Sequence, residues 1–159
     1  MNTHYIVVAD HGHLRIFSER SSPGQFTPGL DEVHAMDFPQ ARMSYVDNDS
    51  DMAGRFQSSK HQGAAPGAPT ARTGMSIDER LPMQREAERR QADDVARAID
   101  AFLEGQPNAT WDFAADPSVH NAILDHLSPQ TRFRLRSSVA KDLVNQPTSE
   151  LLGHFPRSV

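Results

Sequence analysis

Apolar residues run unbroken through most of YIVVAD, residues 5–10, and then alternate with polar ones in HLRIFSER, residues 13–20. His11 and Gly12 stand between the two runs. Two β-branched-rich runs joined by a short Gly-containing turn predict a β-hairpin. In the second run Leu14, Ile16 and Ser18 alternate with Arg15, Phe17 and Glu19, so both faces are expected to be partly covered. SSPGQFTPG reads as a turn segment. LDEVHAMDFP reads as a third strand, with Leu30, Val33 and Met36 apolar and Pro39 as its stop. The first 39 residues therefore predict a three-stranded antiparallel meander.

From Gln40 to Gly74 no periodicity holds: Met43, Tyr45, Met52 and Phe56 are scattered among Asp, Ser, Gly, Ala and Pro. A stretch of this length without a pattern inside a compact domain is usually functional or disordered. Order resumes at SIDE, where Ser76 and Glu79 have capping-box spacing and Pro82 fits the first turn of a helix. Beyond it Ala92, Val95, Ala96, Ile99, Phe102 and Leu103 follow the i, i+3, i+4, i+7 pattern, with Arg89, Arg90, Asp93, Asp94, Arg97 and Asp100 on the other positions. This predicts one long amphipathic helix ending at Gly105.

ATWDFAAD, residues 109–116, reads as a buried strand. Asp116 is placed to cap the next helix, with Pro117 at its first position and Val119, Ile123, Leu124 and Leu127 inward. Ser128 and Pro129 restart a short helix through about Leu135, SSVAKDLV (137–144) reads as a last strand, and Thr148 as the cap of a terminal helix holding Leu151, Leu152 and Phe155. Meander, long helix, then strand–helix–strand–helix predicts an α/β fold with a mixed five-stranded sheet and helices packed on it.

Composition narrows the function classes. At 159 residues the chain is expected to form a single domain, 1–159, interrupted by the irregular loop at about 40–75. It has no Cys, which excludes disulfides, thiolate metal sites and a cysteine nucleophile. The apolar run near the N-terminus is interrupted at once by Asp10 and His11, too early for a signal or membrane segment. A cytoplasmic protein with no membrane partner is the expectation. The net charge of −5 argues against avid, sequence-independent nucleic-acid binding but leaves room for a local basic face.

YIVVADHGHLRIF, SDMAGRFQSS, QREAERRQADDVARAI and the C-terminal FAADPSVHNAILDHLSPQTRFRLRSSVAKDLVNQPTSELLGHF resemble the bacterial family of proteins required for attachment to host cells. The resemblance covers nearly the whole chain except the tip of the central loop. That family is in turn similar to the middle domain of the archaeal and eukaryotic peptide-chain release factor, which implies a ribonuclease-H-like arrangement. In release factors the loop before the long helix carries a Gly-Gly-Gln tip that enters the peptidyl-transferase centre. Here the corresponding loop reads KHQGAAPG, with Gln62 beside Gly63 in reversed order. Hydrolysis of peptidyl-tRNA needs a Gln placed by glycine-permitted backbone geometry, so the departure counts against that chemistry.

Four groups of residues are candidates for chemistry. Asp10, Glu88, Asp116 and Asp142 are the acidic set that a ribonuclease-H-like fold would converge on a divalent metal; as a turn residue, a solvated helix position, an N-cap and a strand-end contact they also have plain structural readings. Asp10, His11 and His13 in DHGH supply imidazole and carboxylate to a transition metal, or make an exposed polar turn. Arg132, Arg134, Arg136 and Lys141, with Arg85, Arg89 and Arg90 on the long helix, offer phosphate forks beside the stacking face of Phe133, or an ordinary solvated surface. In the loop, DSDMAGRF carries the family resemblance, which favours Asp51, Gly54, Arg55 and Phe56, while Lys60, His61 and Gln62 are contacts if the loop orders on a partner. The expectation is a non-catalytic binding or regulatory protein that needs no cofactor and contacts RNA or the translation machinery through the central loop and the Arg-bearing face. A metal-dependent nuclease or divergent RNA-directed hydrolase, and a protein-interaction adaptor acting indirectly on attachment, are the alternatives.

Overall fold

The computed structural model describes residues 2–39 and 77–156, the side chains of residues 77–80 excepted. The expected meander is present as β1 (His4–Ala9), β2 (His13–Arg20) and β3 (Gly29–Asp37). A long helix α1 (Ile77–Glu104) leads to β4 (Thr110–Ala115), then α2 (Pro117–His126), α3 (Pro129–Phe133), β5 (Leu135–Ala140) and α4 (Thr148–Leu151), which runs into a 3₁₀ turn at Leu152–His154. The strands form one five-stranded sheet in the order β3-β2-β1-β4-β5. β1–β2 and β2–β3 are antiparallel, whereas β1–β4 and β4–β5 are parallel. The fold is therefore α/β with a mixed open sheet. No helix among the described residues is long and apolar enough to cross a membrane.

Both faces of the sheet are covered, which explains the unbroken apolar run in β1. Tyr5, Val7, Ala9, Leu14, Ile16, Trp111 and Phe113 pack against Val95, Ala96, Ile99 and Leu103 of α1 and Val119 and Ile123 of α2. On the other face Ile6, Val8, Phe17 and Ala114 meet Leu143, Val144, Leu151 and Phe155 of the C-terminal segment. By strand alternation Leu14 and Ile16 serve the first cluster and Phe17 the second, while the bulge opposite Ile16 and Phe17 inserts Val33 as an extra residue in β3. The indole N–H of Trp111, fully buried, donates to Thr131 O at 2.9 Å and ties β4 to α3.

Several boundaries differ from the sequence reading, each for a local reason. Val33 and Met36 are exposed. A spacing of three cannot hold one face of a strand, and β3 is a sheet edge. Pro82 lies inside α1, beyond its first turn, and costs the helix one backbone bond near its start. The described residues do not include Ser76 or the Glu79 side chain, so the capping box lies outside them. α3 stops at Phe133, and β5 begins at Leu135 and ends at Ala140. The expected strand residues Lys141–Val144 form a turn instead, in which the Asp142 carboxylate accepts from Val144 N at 3.2 Å. Thr148 is the first residue of α4; the cap position belongs to Pro147, which supplies no side-chain bond.

The helix α1 is longer than the sheet it covers. Its 28 residues span about 42 Å at 1.5 Å each, roughly twice the length of a six-residue strand. Packing begins at Gln91, while residues 81–90 are exposed or half-exposed. The helix ends beside the start of β5, where Arg134 meets Leu103 O. Its first half therefore projects past the opposite edge, where β1, β3, β4 and β5 all end. This is the carboxyl edge of the sheet, and the other is the amino edge.

Candidate functional site

The carboxyl edge gathers the polar residues that the sequence singled out. After β1 the chain turns through Asp10, His11 and Gly12, with Asp10 N donating to His13 O at 3.0 Å. Asp10 Oδ1 accepts from Gly12 N at 2.8 Å and from His13 N at 2.7 Å, an Asx turn that locks the hairpin. His13 Nδ1 adds a third contact to the same oxygen at 2.9 Å. His13 Nε2 lies 3.9 Å from Asp37 Oδ1, so the imidazole sits between two carboxylates. Phe38 N donates to Gly12 O at 2.8 Å and brings the end of β3 to the same place.

Beside this turn stands the end of β4. Asp116 is the N-cap of α2, as expected from Asp-Pro, and its Oδ1 accepts from Ser118 N at 2.9 Å. The Ser118 hydroxyl donates to the same carboxylate, and His11 Nε2 lies 2.7 Å from Ser118 Oγ and 3.7 Å from Asp116 Oδ1. The Ser118 hydroxyl holds the Asp116 carboxyl below its ordinary value; partial burial opposes it less strongly, and the Ser118 amide and nearby His11 add smaller lowering effects. Asp116 N donates to Ala9 O at 3.3 Å and closes the seam between the two strand ends. β1 and β4 are neighbouring parallel strands from which the chain continues towards opposite edges of the sheet, β1 to β2 and β4 to β5, so the strand order reverses between them.

The remaining candidates do not converge there. Glu88 is exposed on the projecting part of α1, and Asp142 is turned into its own turn after β5. Among the described residues no three or more His, Asp or Glu are grouped to hold a metal ion. The basic group splits between the two edges. Arg132 and Phe133 are exposed at the amino edge, Phe133 almost completely. Arg134 Nη1 donates to Gln106 O at 2.6 Å, and both Nη1 and Nη2 donate to Leu103 O at 3.2 Å, which commits that guanidinium to the end of α1. Arg136 begins β5 at the amino edge. Lys141 follows β5 at the carboxyl edge, where Arg85, Arg89 and Arg90 also project on α1. Asp51, Gly54, Arg55, Phe56, Lys60, His61 and Gln62 lie outside the described residues.

Sequence reasoning missed Ser118 and Asp37. Ser118 carried a signal, since a hydroxyl two places after an Asp-Pro cap is within reach of the cap carboxylate. Asp37 becomes visible only once β3 is placed beside β2. A second polar group was also missed, at the amino edge, where His4, Thr110 and Asp112 meet across β1 and β4.

The family model described as protein required for attachment to host cells matches residues 5–155. Among curated proteins none matches the chain. The family match runs from the second residue of β1 through the buried Phe155, and so takes in both strand ends of the site and the C-terminal layer. The chain belongs to the family of proteins required for attachment to host cells.

Proposed function

We propose that this host-attachment-family domain is a non-catalytic binding protein of the cytoplasm, related in fold to the release-factor middle domain, which contacts RNA or the translation machinery through its carboxyl edge. The observation supporting this is how the acidic groups at that edge are engaged. Asp10 is occupied by Gly12 and His13, and Asp116 by Ser118 and His11. A hydrolytic base or metal ligand needs lone pairs aimed at substrate or ion. The Oδ1 atoms of both carboxylates are committed to their own turn and helix cap. Alongside exposed Asp37, Glu86 and Glu88, that edge presents a set of cationic or hydrogen-bonding groups: half-exposed His11 and His13, and exposed Arg85, Arg89 and Lys141. That set suits a polyanion at a local face of a chain whose net charge is −5. An effect on attachment is then indirect.

The test is co-sedimentation with ribosomes and RNA binding over a salt series, using wild type and Arg85→Glu/Arg89→Glu. Both side chains are exposed on a projecting helix, so the variant keeps its fold. Association that weakens with salt and with the double substitution supports the reading; association indifferent to both rejects it. Exposed Leu81 and Met83 on the same helix favour a protein partner as the second reading. In that case Leu81→Ser/Met83→Ser abolishes the association and the charge reversal does not.

A further inference from the structure

A groove of about 530 Å³ opens at the amino edge between the end of α1 and α3, lined by Glu104, Pro107, Pro129, Gln130, Phe133 and Arg134. Proline rings and a guanidinium both pack against aromatic faces. The Arg134 guanidinium is held by Leu103 O and Gln106 O, so that part of the lining is fixed before anything docks. The groove therefore suits an aromatic side chain.

The same patch carries such a side chain. Phe133, on the groove wall, is 92% exposed. A single exposed apolar residue is ordinary, but this one is a knob beside a hole of matching chemistry. Its neighbour Arg132 is exposed, and so is Glu104 on the α1 side of the groove. Neither makes a hydrogen bond or ion pair among the described residues. Knob, hole, cation and anion on one patch are what an isologous contact requires, because a two-fold axis presents each feature to its complement.

We propose that the amino edge is a docking surface for a second copy of this chain, in which Phe133 of each copy enters the groove of the other and Arg132 of each faces Glu104 of the other. A phenylalanine side chain offers about 150–250 Å², so two of them and the walls they cover bury roughly 600–1,000 Å² in total. That lies below the ~1,200 Å² of a standard interface. The dimer is accordingly weak, formed at high concentration and dissociated in dilute solution. Both carboxyl edges stay uncovered, at opposite ends of the dimer, so this contact and the proposed polyanion contact stand or fall separately.

The test is sedimentation equilibrium of the full chain from about 1 µM to about 1 mM, where a reversible monomer–dimer equilibrium is expected. Phe133→Ser should raise the dissociation constant at least about thirtyfold, the scale of a buried aromatic anchor. Arg132→Glu and Glu104→Arg should each weaken the dimer by about tenfold, since each change occurs twice across the axis. Combining the two charge reversals should recover most of that loss. All three side chains are exposed, so the variants keep the fold, and an unchanged urea midpoint in dilute solution verifies it. A chain that stays monomeric at about 1 mM overturns the proposal and leaves the groove to an aromatic side chain of another protein. A dimer indifferent to Phe133→Ser, or a charge swap that restores nothing, overturns it as well.

Discussion

Replacing Arg134 with Met removes the guanidinium and keeps most of the aliphatic stem, so it deletes the hydrogen bonds to Leu103 O and Gln106 O together with the longer one to Gln130 O. Those first two carbonyls lie at the end of α1 and in the turn after it, where each also accepts one backbone amide, Gln106 N and Ala109 N, and where the helix dipole favours a cation. A hydrogen bond from a charged donor contributes about 1.5–3 kcal/mol net. The bonds share one group, so they fail together rather than adding. The expected loss is about 2–3 kcal/mol, which lowers Tm by roughly 4–12 °C in a chain of this size. Arg134→Lys, a point charge without the fork, should lose less. Arg132→Met, two residues away and exposed, should stay within about 0.5 kcal/mol of wild type. Urea unfolding read by Trp111 is the assay, since this single tryptophan is buried and bonded to Thr131 just before both arginines. An Arg134→Met midpoint equal to wild type, or an Arg132→Met loss as large, refutes the reasoning. The result also decides which variants are fit for RNA work, because charge reversal at Arg134 would lower binding by damaging the fold.

Three further outcomes are expected from the contacts at the strand ends and in the C-terminal layer. Asp10→Ala should cost about 1–3 kcal/mol, because the amides of Gly12 and His13 lose their acceptor; Asp10→Asn keeps an oxygen there and should cost less in the same urea assay. The lowered Asp116 carboxyl contributes stability that is present above its ordinary value of 3.8 and is lost as pH falls through the folded value. Asp116→Asn should therefore flatten the acid limb of an unfolding-versus-pH curve, and superimposable limbs would rule this out. Leu151→Ala should cost about 2–5 kcal/mol, because Leu151 is fully buried in the second core cluster; a near-neutral melting curve would show that the C-terminal layer is dispensable.

Legibility tracks the range of the interaction. The meander can be read because its turns are local, and α2 because Asp116 and Pro117 sit side by side at its start. α1 can be read from its buried stripe, but its beginning cannot, since none of residues 81–90 is buried among the described residues and no apolar period is imposed there. The sequence pattern sets β5 too late because Leu143 and Val144 look like strand residues and are buried by a turn. The site obeys the same rule. Asp10 and Asp116 are legible as a turn and a cap, each satisfied within a few residues. The approach of His11 to Ser118 depends on parallel pairing of β1 with β4, strands separated by the whole loop and long helix. No spacing along the chain encodes that meeting.

The same pairing changes what the basic residues mean. Read along the chain, Arg132, Arg134, Arg136 and Lys141 form one group near Phe133. In the fold β5 carries Lys141 to the carboxyl edge, roughly 20 Å from its starting end. Arg134 is consumed by α1, and Arg136 is engaged in a contact of its own. The amino-edge remainder is Arg132 beside an exposed Phe133, too few charges for a phosphate track. The carboxyl edge instead receives Lys141 from β5 and Arg85 and Arg89 from the helix that outruns the sheet. Among the described residues, positions 81–90 of that helix bury no core, so the charges they carry at the carboxyl edge hold no part of the described core together.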